Sequence, residues 1–248
     1  SWDEPVANGK PPLTYRVTDD GHDVRGCTSI EGKTTCRTDE VEMNGDSHTY
    51  QVEARNSPGK YPTTTKSVAW DAIGLPENPT KAPTASPNGN NGEVEVSGSA
   101  GNSRGKRSFV RLTGGGRTEE FTASAGSWSQ KMSLGAGANG TQVSFTYVLC
   151  NESDCSDASP ESSAVRPYGP LGDMTSSVNA DGEDLVAEAR ADANGAEAVL
   201  TVSADGCDTG TDRGLGGLHV VVRCRVGYST SRTFRFRLTS TDTHTDGR

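Results

Sequence analysis

At 248 residues the chain is too long for one β-sandwich of about 100 residues and suits two or three such domains. Hydrophobic residues make up 31% and aromatic residues 6%, whereas glycine (30) and proline (12) are plentiful, which predicts thin cores and many turns rather than one large enzyme core. The net charge of -9 disfavours a nucleic-acid partner, and because no apolar run approaches about 18 residues, the chain itself is expected not to contact a membrane.

Residues 1–72 carry short alternating patterns that predict β-strands. The predicted strands cover residues 13–17, 41–43, 49–56 and 63–70, with a turn at Asp19-Asp20-Gly21 and a hairpin over residues 27–36. The pattern is clearest in residues 49–56, where Tyr50, Val52 and Ala54 alternate with polar residues. This alternation predicts a strand with one buried and one exposed face.

The surroundings of Tyr50 resemble strand F of a fibronectin type III module. An acceptor-rich turn, Asn44-Gly45-Asp46-Ser47, precedes the strand, and Asn56-Ser57-Pro58-Gly59 follows it. The resemblance implies a tyrosine corner, in which the Tyr50 ring packs in the core and its hydroxyl bonds to the backbone upstream. It also implies that strand A and most of strand B lie before residue 1. Trp2 is then expected to be partly exposed unless other strands replace them.

Residues 71–91 are rich in proline, asparagine and glycine, which predicts a connector that merges into an edge strand. A second module is expected at residues 73–168, with strands over residues 92–99, 108–113, 119–123, 128–134 and 143–149. Aligning Asn151 with Asn56 places Phe145 on Tyr50, an offset of 95 residues (151 minus 56), as tandem modules would show. Phenylalanine keeps the ring of the corner position but loses its hydroxyl bond.

Residues 169–248 are expected to form a third, immunoglobulin-like module. Strand-like stretches contain Val186 and residues 198–200, 219–226 and 234–238, but no strand G is recognisable before the polar tail. The stretch 183–192 is rich in alanine and glutamate, so a helix is an equally good interpretation there. The predicted fold class is all-β, with tandem fibronectin type III or immunoglobulin-like β-sandwiches.

Six cysteines fall into three pairs that are close in sequence, one pair in each module. The pairs are Cys27 with Cys36, Cys150 with Cys155, and Cys207 with Cys224. Zinc sites use Cys-x-x-Cys couples or interleaved histidines, and neither occurs here. The pattern therefore predicts three disulfides and an extracellular or cell-surface location, where the environment is oxidising.

No nucleophile elbow, phosphate-binding glycine loop or zinc-protease motif occurs, so the chain is predicted to be no enzyme and to use no cofactor or metal. Residues 179–184 have the oxygen density of a calcium loop. They lack the closing bidentate glutamate of such a loop, so a plain turn is preferred.

The three tryptophans, Trp2, Trp70 and Trp128, lie at strand-compatible positions and are interpreted as core residues rather than as a sugar-stacking platform. Two segments, Asn139-Gly140-Thr141 and Asn151-Glu152-Ser153, match the acceptor pattern for N-glycosylation.

The acidic, Gly- and Asn-rich style of residues 1–170 resembles actinobacterial surface proteins that carry type III modules. Some members of that group have modules likened to cytokine receptors and are associated with binding tumour necrosis factor. The resemblance implies a non-catalytic protein-binding module with this cytokine as the candidate host ligand and a membrane anchor upstream. The alternatives are a passive spacer in a larger secreted or surface enzyme and a carbohydrate-binding module.

In receptors of this architecture a turn of the first module and two loops of the second converge at an elbow, which corresponds here to residues 44–48, 101–106 and 151–154. The candidate protein-binding residues are Asp46, His48, Asn102, Arg104, Lys106, Asn151, Glu152 and Asp154. Arg104 and Lys106 are expected to face Glu152 and Asp154. The bridge between Cys150 and Cys155 either preorders the last loop for binding or merely pins the end of a hairpin.

Overall fold

The structure is a computed structural model that describes residues 1–4, 13–37, 45–56, 64–226 and 231–242. These residues form β-strands and one short 3-10 turn, with no α-helix among them, and the predicted all-β fold class is confirmed. No helix in the described part is long and apolar enough to cross a membrane. The strands group into three successive modules.

Module 1 is one antiparallel sheet with the order β2-β1-β4-β5, to which β3 is joined through β1. Its strands are β1 (Leu13–Asp19), β2 (His22–Asp23), β3 (Ile30–Glu31), β4 (Ser47–Asn56) and β5 (Thr64–Asp71). Asp20 and Gly21 connect β1 to β2 with positive φ at both residues (46° and 84°), as a two-residue Asp-Gly hairpin requires. Because β3 pairs with β1, the predicted separate hairpin over residues 27–36 is wrong.

Two expectations for module 1 reach outside the described residues. The predicted strand containing Val41 and Met43 lies wholly outside them, and so does Asn44 of the turn expected to accept the Tyr50 hydroxyl. Burial of the Tyr50 side chain raises its pKa, and the nearby carboxylate of Asp19 raises it further. The tyrosine corner therefore stays a prediction.

Module 2 has two three-stranded sheets, with the orders β10-β7-β6 and β11-β8-β9. Its strands are β6 (Thr84–Pro87), β7 (Glu93–Ala100), β8 (Phe109–Gly114), β9 (Arg117–Thr122), β10 (Gly126–Ser133) and β11 (Phe145–Cys150). The first sheet has the strand order E-B-A of a type III module, and the second sheet has the order F-C-C′. Between the sheets lies a core of Val94, Val96, Ala100, Val110, Leu112, Ala123, Trp128, Met132, Leu134, Phe145, Tyr147 and Leu149.

The strand register of module 1 recurs in module 2 at the offset of 95 residues. Val17 pairs with Val52 in module 1, and Leu112 pairs with Tyr147 in module 2. The hydroxyl of buried Tyr147 donates a hydrogen bond to the Ser99 carbonyl at 2.7 Å. Module 2 therefore has a core tyrosine with a bonded hydroxyl, although not at the corner position.

A serine segment, residues 156–165, runs along β11 where a strand G would lie. The backbone N–H groups of Ser156, Ser159 and Ser162 donate to the carbonyls of Leu149, Tyr147 and Phe145, respectively. Through Oγ, the same three serines accept the N–H groups of the same three β11 residues at 2.9 to 3.1 Å. Three residues of the serine segment thus match two residues of β11.

Module 3 also has two three-stranded sheets, with the orders β12-β13-β16 and β15-β14-β17. Its strands are β12 (Thr175–Asp181), β13 (Asp184–Asp192), β14 (Ala198–Ala204), β15 (Gly210–Gly214), β16 (Gly217–Arg225) and β17 (Phe234–Ser240). The alternative of a helix over residues 183–192 is wrong, because Ala187, Ala189 and Ala191 alternate into the core with the period of a strand. The acidic residues 179–184 span the hairpin from β12 to β13, with Gly182 at φ 65° in its turn.

The three expected disulfides are present, and no cysteine is left free. Cys207, in the turn after β14, is joined to Cys224 in β16, so this bridge ties the two sheets of module 3 together. Cys150 and Cys155 also face each other as an isolated β-bridge next to the end of β11.

Candidate functional site

The three loops predicted to form an elbow do meet between modules 1 and 2. Gly45 of the module 1 turn lies so close to Gly105 that a Cβ atom on Gly45 would overlap the backbone of Gly105 and Lys106. A Cβ atom on Gly105 would overlap the side chains of Asn151 and Glu152. Ala72, at the end of module 1, exchanges backbone hydrogen bonds with Gly45 and Asp46. These loops are therefore packed against one another and not held apart in solvent.

Asn151 is the central residue of this joint and is only 3% exposed. Its Nδ2 donates to the carbonyl oxygens of Gly74 at 2.8 Å and Ser103 at 2.7 Å. Its Oδ1 accepts the backbone N–H groups of Ser153 and Asp154, both at 2.9 Å. One side chain thus connects the linker after module 1 with two loops of module 2.

Two carboxylates complete the joint. Glu152 accepts the backbone N–H groups of Lys106 at 2.9 Å and Arg107 at 3.0 Å. Burial alone would raise the pKa of Glu152, but the backbone N–H groups of Lys106, Arg107 and Glu152 together with the charge of Lys106 outweigh it, so the pKa is lowered. Asp71 lies 2.6 Å from the ammonium of Lys106, and the hydrogen bonds from Lys106 and Ser47 lower its pKa.

The cations of the elbow have other partners than those expected. Arg104 Nη2 lies 3.6 Å from Glu77 in the linker, and Lys106 forms its ion pair with Asp71. Among the described residues neither cation forms an ion pair with Glu152 or Asp154, although the charge of Lys106 acts on the Glu152 carboxylate. Arg104 has a left-handed backbone (φ 51°), and its N–H donates to Asn102 Oδ1 at 2.8 Å. These cations therefore help to attach the linker and module 1 to module 2.

His48 belongs to a neighbouring cluster on module 1. Its Nδ1 lies 2.8 Å from Asp19 Oδ2 and 3.9 Å from Asp20 Oδ2. The three side chains are close enough to share a cation, with ligand atoms within 4.8 Å of one another. Asp20 Oδ1 accepts the Thr49 N–H at 2.9 Å, whereas Asp19 Oδ1 and His48 Nε2 are buried without a hydrogen-bond partner among the described residues.

Sequence reasoning missed a second joint, between modules 2 and 3. Asn139 Nδ2 lies 2.7 Å from Asn194 Oδ1 and 3.3 Å from Asn91 Oδ1, and Asn194 Nδ2 donates to Asn91 at 2.9 Å. Each of these asparagines precedes a glycine, and Gly195 lies against the backbone of Gly140. The available signal was three Asn-Gly dipeptides, two in module 2 (Asn91-Gly92 and Asn139-Gly140) and one in module 3 (Asn194-Gly195).

Both matches to the glycosylation pattern thus fall on joint residues. The Nδ2 atoms of Asn139 and Asn151, where a glycan would be attached, donate their hydrogens within the two joints. An attached glycan would remove one of those hydrogens and add bulk to a packed contact.

The tryptophans do not form one platform. Trp128 is buried in the core of module 2, as expected, whereas Trp70 is 45% exposed, so its interpretation as a core residue is wrong. Trp2 is half-buried and packs against Tyr15 in a tilted arrangement, with 5.2 Å between ring centroids. Trp2 and Trp70 line one cavity of about 340 Å³ on module 1 together with Val52, Val68 and other apolar residues.

No protein-family model matches the chain, and no curated protein matches it. Among solved structures it is similar to the FN1-FN3 domains of chicken CNTN1, with 12% identity over 93% of this chain and 84% of that chain and a TM-score of 0.33. It is also similar to domains A168-A170 of titin, with 17% identity over 64% of this chain and a TM-score of 0.35. The chain spans 56% of the length of the titin structure.

Proposed function

We propose that the chain is a non-catalytic, extracellular protein-binding module of a bacterial surface protein, with its binding surface on the elbow between modules 1 and 2. The candidate ligand is a host cytokine such as tumour necrosis factor, as the resemblance to actinobacterial surface proteins implies. The proposal rests on one observation above all, the convergence of loops from two modules into a single fixed surface.

The internal bonds of the elbow favour binding, because a surface that is already ordered loses little conformational entropy when a partner docks. Asn151 fixes the loop at 151–154 through four hydrogen bonds, and Cys150–Cys155 closes that loop. The backbone of the binding surface is therefore preorganised.

The solvent-facing rim of the elbow is polar and of mixed charge. Five of its candidate residues are exposed: Asp46, Asn102, Lys106, Glu152 and Asp154. Such a rim suits a partner that also presents both charges, and it would affect the association rate and specificity more than the affinity.

The test is a titration of tumour necrosis factor, with unrelated cytokines as controls, against the wild type and an Arg104→Glu variant. Arg104 is preferred to Lys106 because its pair with Glu77, at 3.6 Å, holds only the linker, whereas the Lys106 pair with Asp71, at 2.6 Å, joins modules 1 and 2 directly. Lys131→Glu is the matched control, because Lys131 is 67% exposed on β10 and lies outside the elbow loops.

We expect saturable binding by the wild type and the control, and weaker binding by Arg104→Glu that comes mainly from an association rate at least tenfold slower. Absence of saturable binding by the wild type rejects the cytokine as ligand. Unchanged binding by Arg104→Glu rejects the elbow as the site.

A passive spacer is the second candidate function, and the two joints favour it. Both boundaries between modules are held by direct side-chain hydrogen bonds, which would give a rod of fixed geometry. If the chain is a spacer, an Asp71→Asn variant, which loosens the first joint, should have a different shape from the wild type in small-angle scattering. In that case no ligand of the wild type should be found.

A further inference from the structure

A groove lies at the open end of the β8–β9 hairpin in module 2. The two strands are antiparallel and turn at Gly115 and Gly116, so the start of β8 and the end of β9 lie together at the opposite end. Residues 106–109 and 120–124 line a cavity of about 680 Å³ there, a volume typical of binding pockets. All of these residues belong to the continuously described stretch 64–226, far from either end of the sequence.

Two aromatic rings give the groove an apolar part. Phe109 and Phe121 are both half-buried, so each ring leaves some of its surface uncovered. Phe121 packs against Trp128 of the module 2 core, with 5.4 Å between ring centroids. The Ala123 N–H donates to the Ser108 carbonyl at 3.2 Å, which extends the hairpin by one hydrogen bond beyond the last strand pair. The walls of the groove are therefore attached to the folded module.

The lining of the groove is positively charged, although the whole chain has a net charge of -9. It contains two cations, Lys106 and Arg107, and one carboxylate, Glu120. Lys106 is paired with Asp71 at 2.6 Å, and Glu120 is paired with Arg111 at 3.2 Å. The exposed side chain of Arg107 has neither an ion pair nor a hydrogen bond within the described part of the chain. Its guanidinium is the charge that remains for a ligand.

The main chain of Arg107 is held in place although its side chain is not engaged. Its N–H donates to one carboxylate oxygen of Glu152 at 3.0 Å, and the Lys106 N–H donates to the other at 2.9 Å. Glu152 belongs to the loop that Asn151 fixes at the elbow, so the groove adjoins the elbow surface. An arginine on an ordered backbone loses less conformational entropy when its side chain binds a partner.

A free guanidinium beside apolar surface favours a carboxylate that is carried next to an apolar group. The carboxylate can accept two parallel N–H bonds from the guanidinium, the strongest arrangement of such a pair. The apolar group would remove the uncovered parts of Phe109 and Phe121 from water, which is favourable in proportion to the area covered. A protein docked on the elbow would lie directly beside the groove and could supply both groups.

We propose that the groove receives an acidic side chain and a neighbouring apolar side chain from the protein that docks on the elbow. The carboxylate meets Arg107, and the apolar side chain covers Phe109 and Phe121. This assignment rests on the protein-binding function proposed for the elbow, and it adds the chemistry of the partner segment. It does not require that the partner be a cytokine.

The experiment uses the whole chain and three blocked peptides. The first is acetyl-Gly-Phe-Glu-Gly-amide; the second has glutamine in place of glutamate, and the third has glycine in place of phenylalanine. Titrations followed in two-dimensional amide NMR spectra measure weak affinities and locate the site. We expect the first peptide to bind at least fivefold more tightly than either of the others, with the largest shifts at Phe109, Thr122 and Ser124.

Removal of the free charge supplies the decisive comparison. An Arg107→Gln variant, which introduces no charge that would repel Glu152, should bind the glutamate and glutamine peptides equally. The matched control is Arg117→Gln, at the other end of the same hairpin, where the exposed arginine also has no ion pair among the residues described. The control should keep the preference for glutamate, and the spectra of both variants show whether β8 and β9 remain folded.

Three results would overturn the proposal: equal binding of the glutamate and glutamine peptides by the wild type, an undiminished preference in Arg107→Gln, and shifts located away from the groove. The peptides report on the groove alone, so its failure is distinguishable from that of the elbow. A chain that binds tumour necrosis factor but does not discriminate between the peptides keeps the elbow and loses the groove. A chain that discriminates between the peptides but does not bind the cytokine keeps the groove and loses that ligand.

Discussion

Asn151 uses both ends of its amide, donating two hydrogen bonds and accepting two, and no other residue type of that size has this combination. The sequence comparison with Asn56 correctly singled out this position as the end of strand F. It gave no reason to expect a contact with Gly74, because that partner comes from a linker 77 residues away in sequence. Local patterns do not report such contacts.

An Asn151→Asp variant should be markedly less stable than the wild type. It keeps the size of the side chain but turns a donor into an oxygen that faces the carbonyls of half-buried Gly74 and buried Ser103, leaving both acceptors without this donor. We expect a loss of at least about 2 kcal/mol in the free energy of unfolding, measured by urea denaturation. Asn179→Asp, at an exposed position of β12, is the control and should change stability by less than about 0.5 kcal/mol. Equal stabilities of the two variants would contradict the assigned role of Asn151.

At the scale of elements, the serine segment replaces a strand by a coil that uses hydroxyl groups as acceptors. The spacing of Ser156, Ser159 and Ser162 by three residues was visible in the sequence, but strand patterns have a period of two, so it was not recognised. Since two residues of β11 advance about 6.6 Å, the serine segment advances only about 2.2 Å per residue, well short of a strand.

Replacement of Ser159 by alanine should destabilise module 2. Ser159 is 5% exposed, and its Oγ accepts the N–H of Tyr147, which would lose its partner inside the protein. We expect a loss of about 1 to 3 kcal/mol in thermal or urea unfolding. Ser163→Ala removes an exposed hydroxyl from the same segment and should be nearly neutral. If both variants unfold like the wild type, the hydroxyl groups are not the acceptors that hold the segment.

The disulfide of module 3 should contribute more stability than that of module 2. Cys207 and Cys224 are 17 positions apart, whereas Cys150 and Cys155 are 5 positions apart. Loop-closure entropy assigns about 3.2 kcal/mol to the longer ring and about 2.2 kcal/mol to the shorter one. Paired Cys→Ala variants compared by calorimetry should follow that order, and the reverse order would show that local packing outweighs chain entropy.

For the whole molecule, acid should loosen the joint between modules 1 and 2. Asp71 and Glu152 have lowered pKa values in the folded chain, so their contribution is present above the ordinary carboxyl pKa values and is lost as the pH falls through the lowered ones. We expect an unchanged small-angle scattering profile from pH 7 to pH 5 and a more extended or variable one below about pH 4.

An Asp71→Asn/Glu152→Gln variant separates this effect from general acid unfolding. It lacks the two titrating groups, so its scattering profile at pH 7 should already resemble that of the wild type in acid. Circular dichroism at each pH shows whether the sheets themselves persist. A change in wild-type shape above pH 5 would indicate that other groups control the joint.

The fold and the meeting of loops at the first joint were largely predictable from sequence, whereas the second joint and the side-chain contacts within both joints were not. Alternation around Val52 and the offset to Tyr147 located the central strands and their register. The same reasoning could not decide between a helix and a strand for residues 183–192, because alanine and glutamate favour a helix. The strand is selected by the burial of its alanine row against the facing sheet, which a local pattern does not show. The joints depend on which side chains meet after folding, as with Asn139 and Asn194.

The serine segment also constrains how the length of the chain can vary during evolution. An insertion or deletion of three residues would shift the serine segment along β11 by one contact. Every third residue would then still face the N–H and carbonyl groups of a β11 residue. A change of one or two residues would bring Asp157, Ala158 or another non-serine position to those groups and leave N–H groups of β11 without an acceptor. Relatives of this chain should therefore differ in length here by multiples of three, whereas a paired β-strand would favour multiples of two.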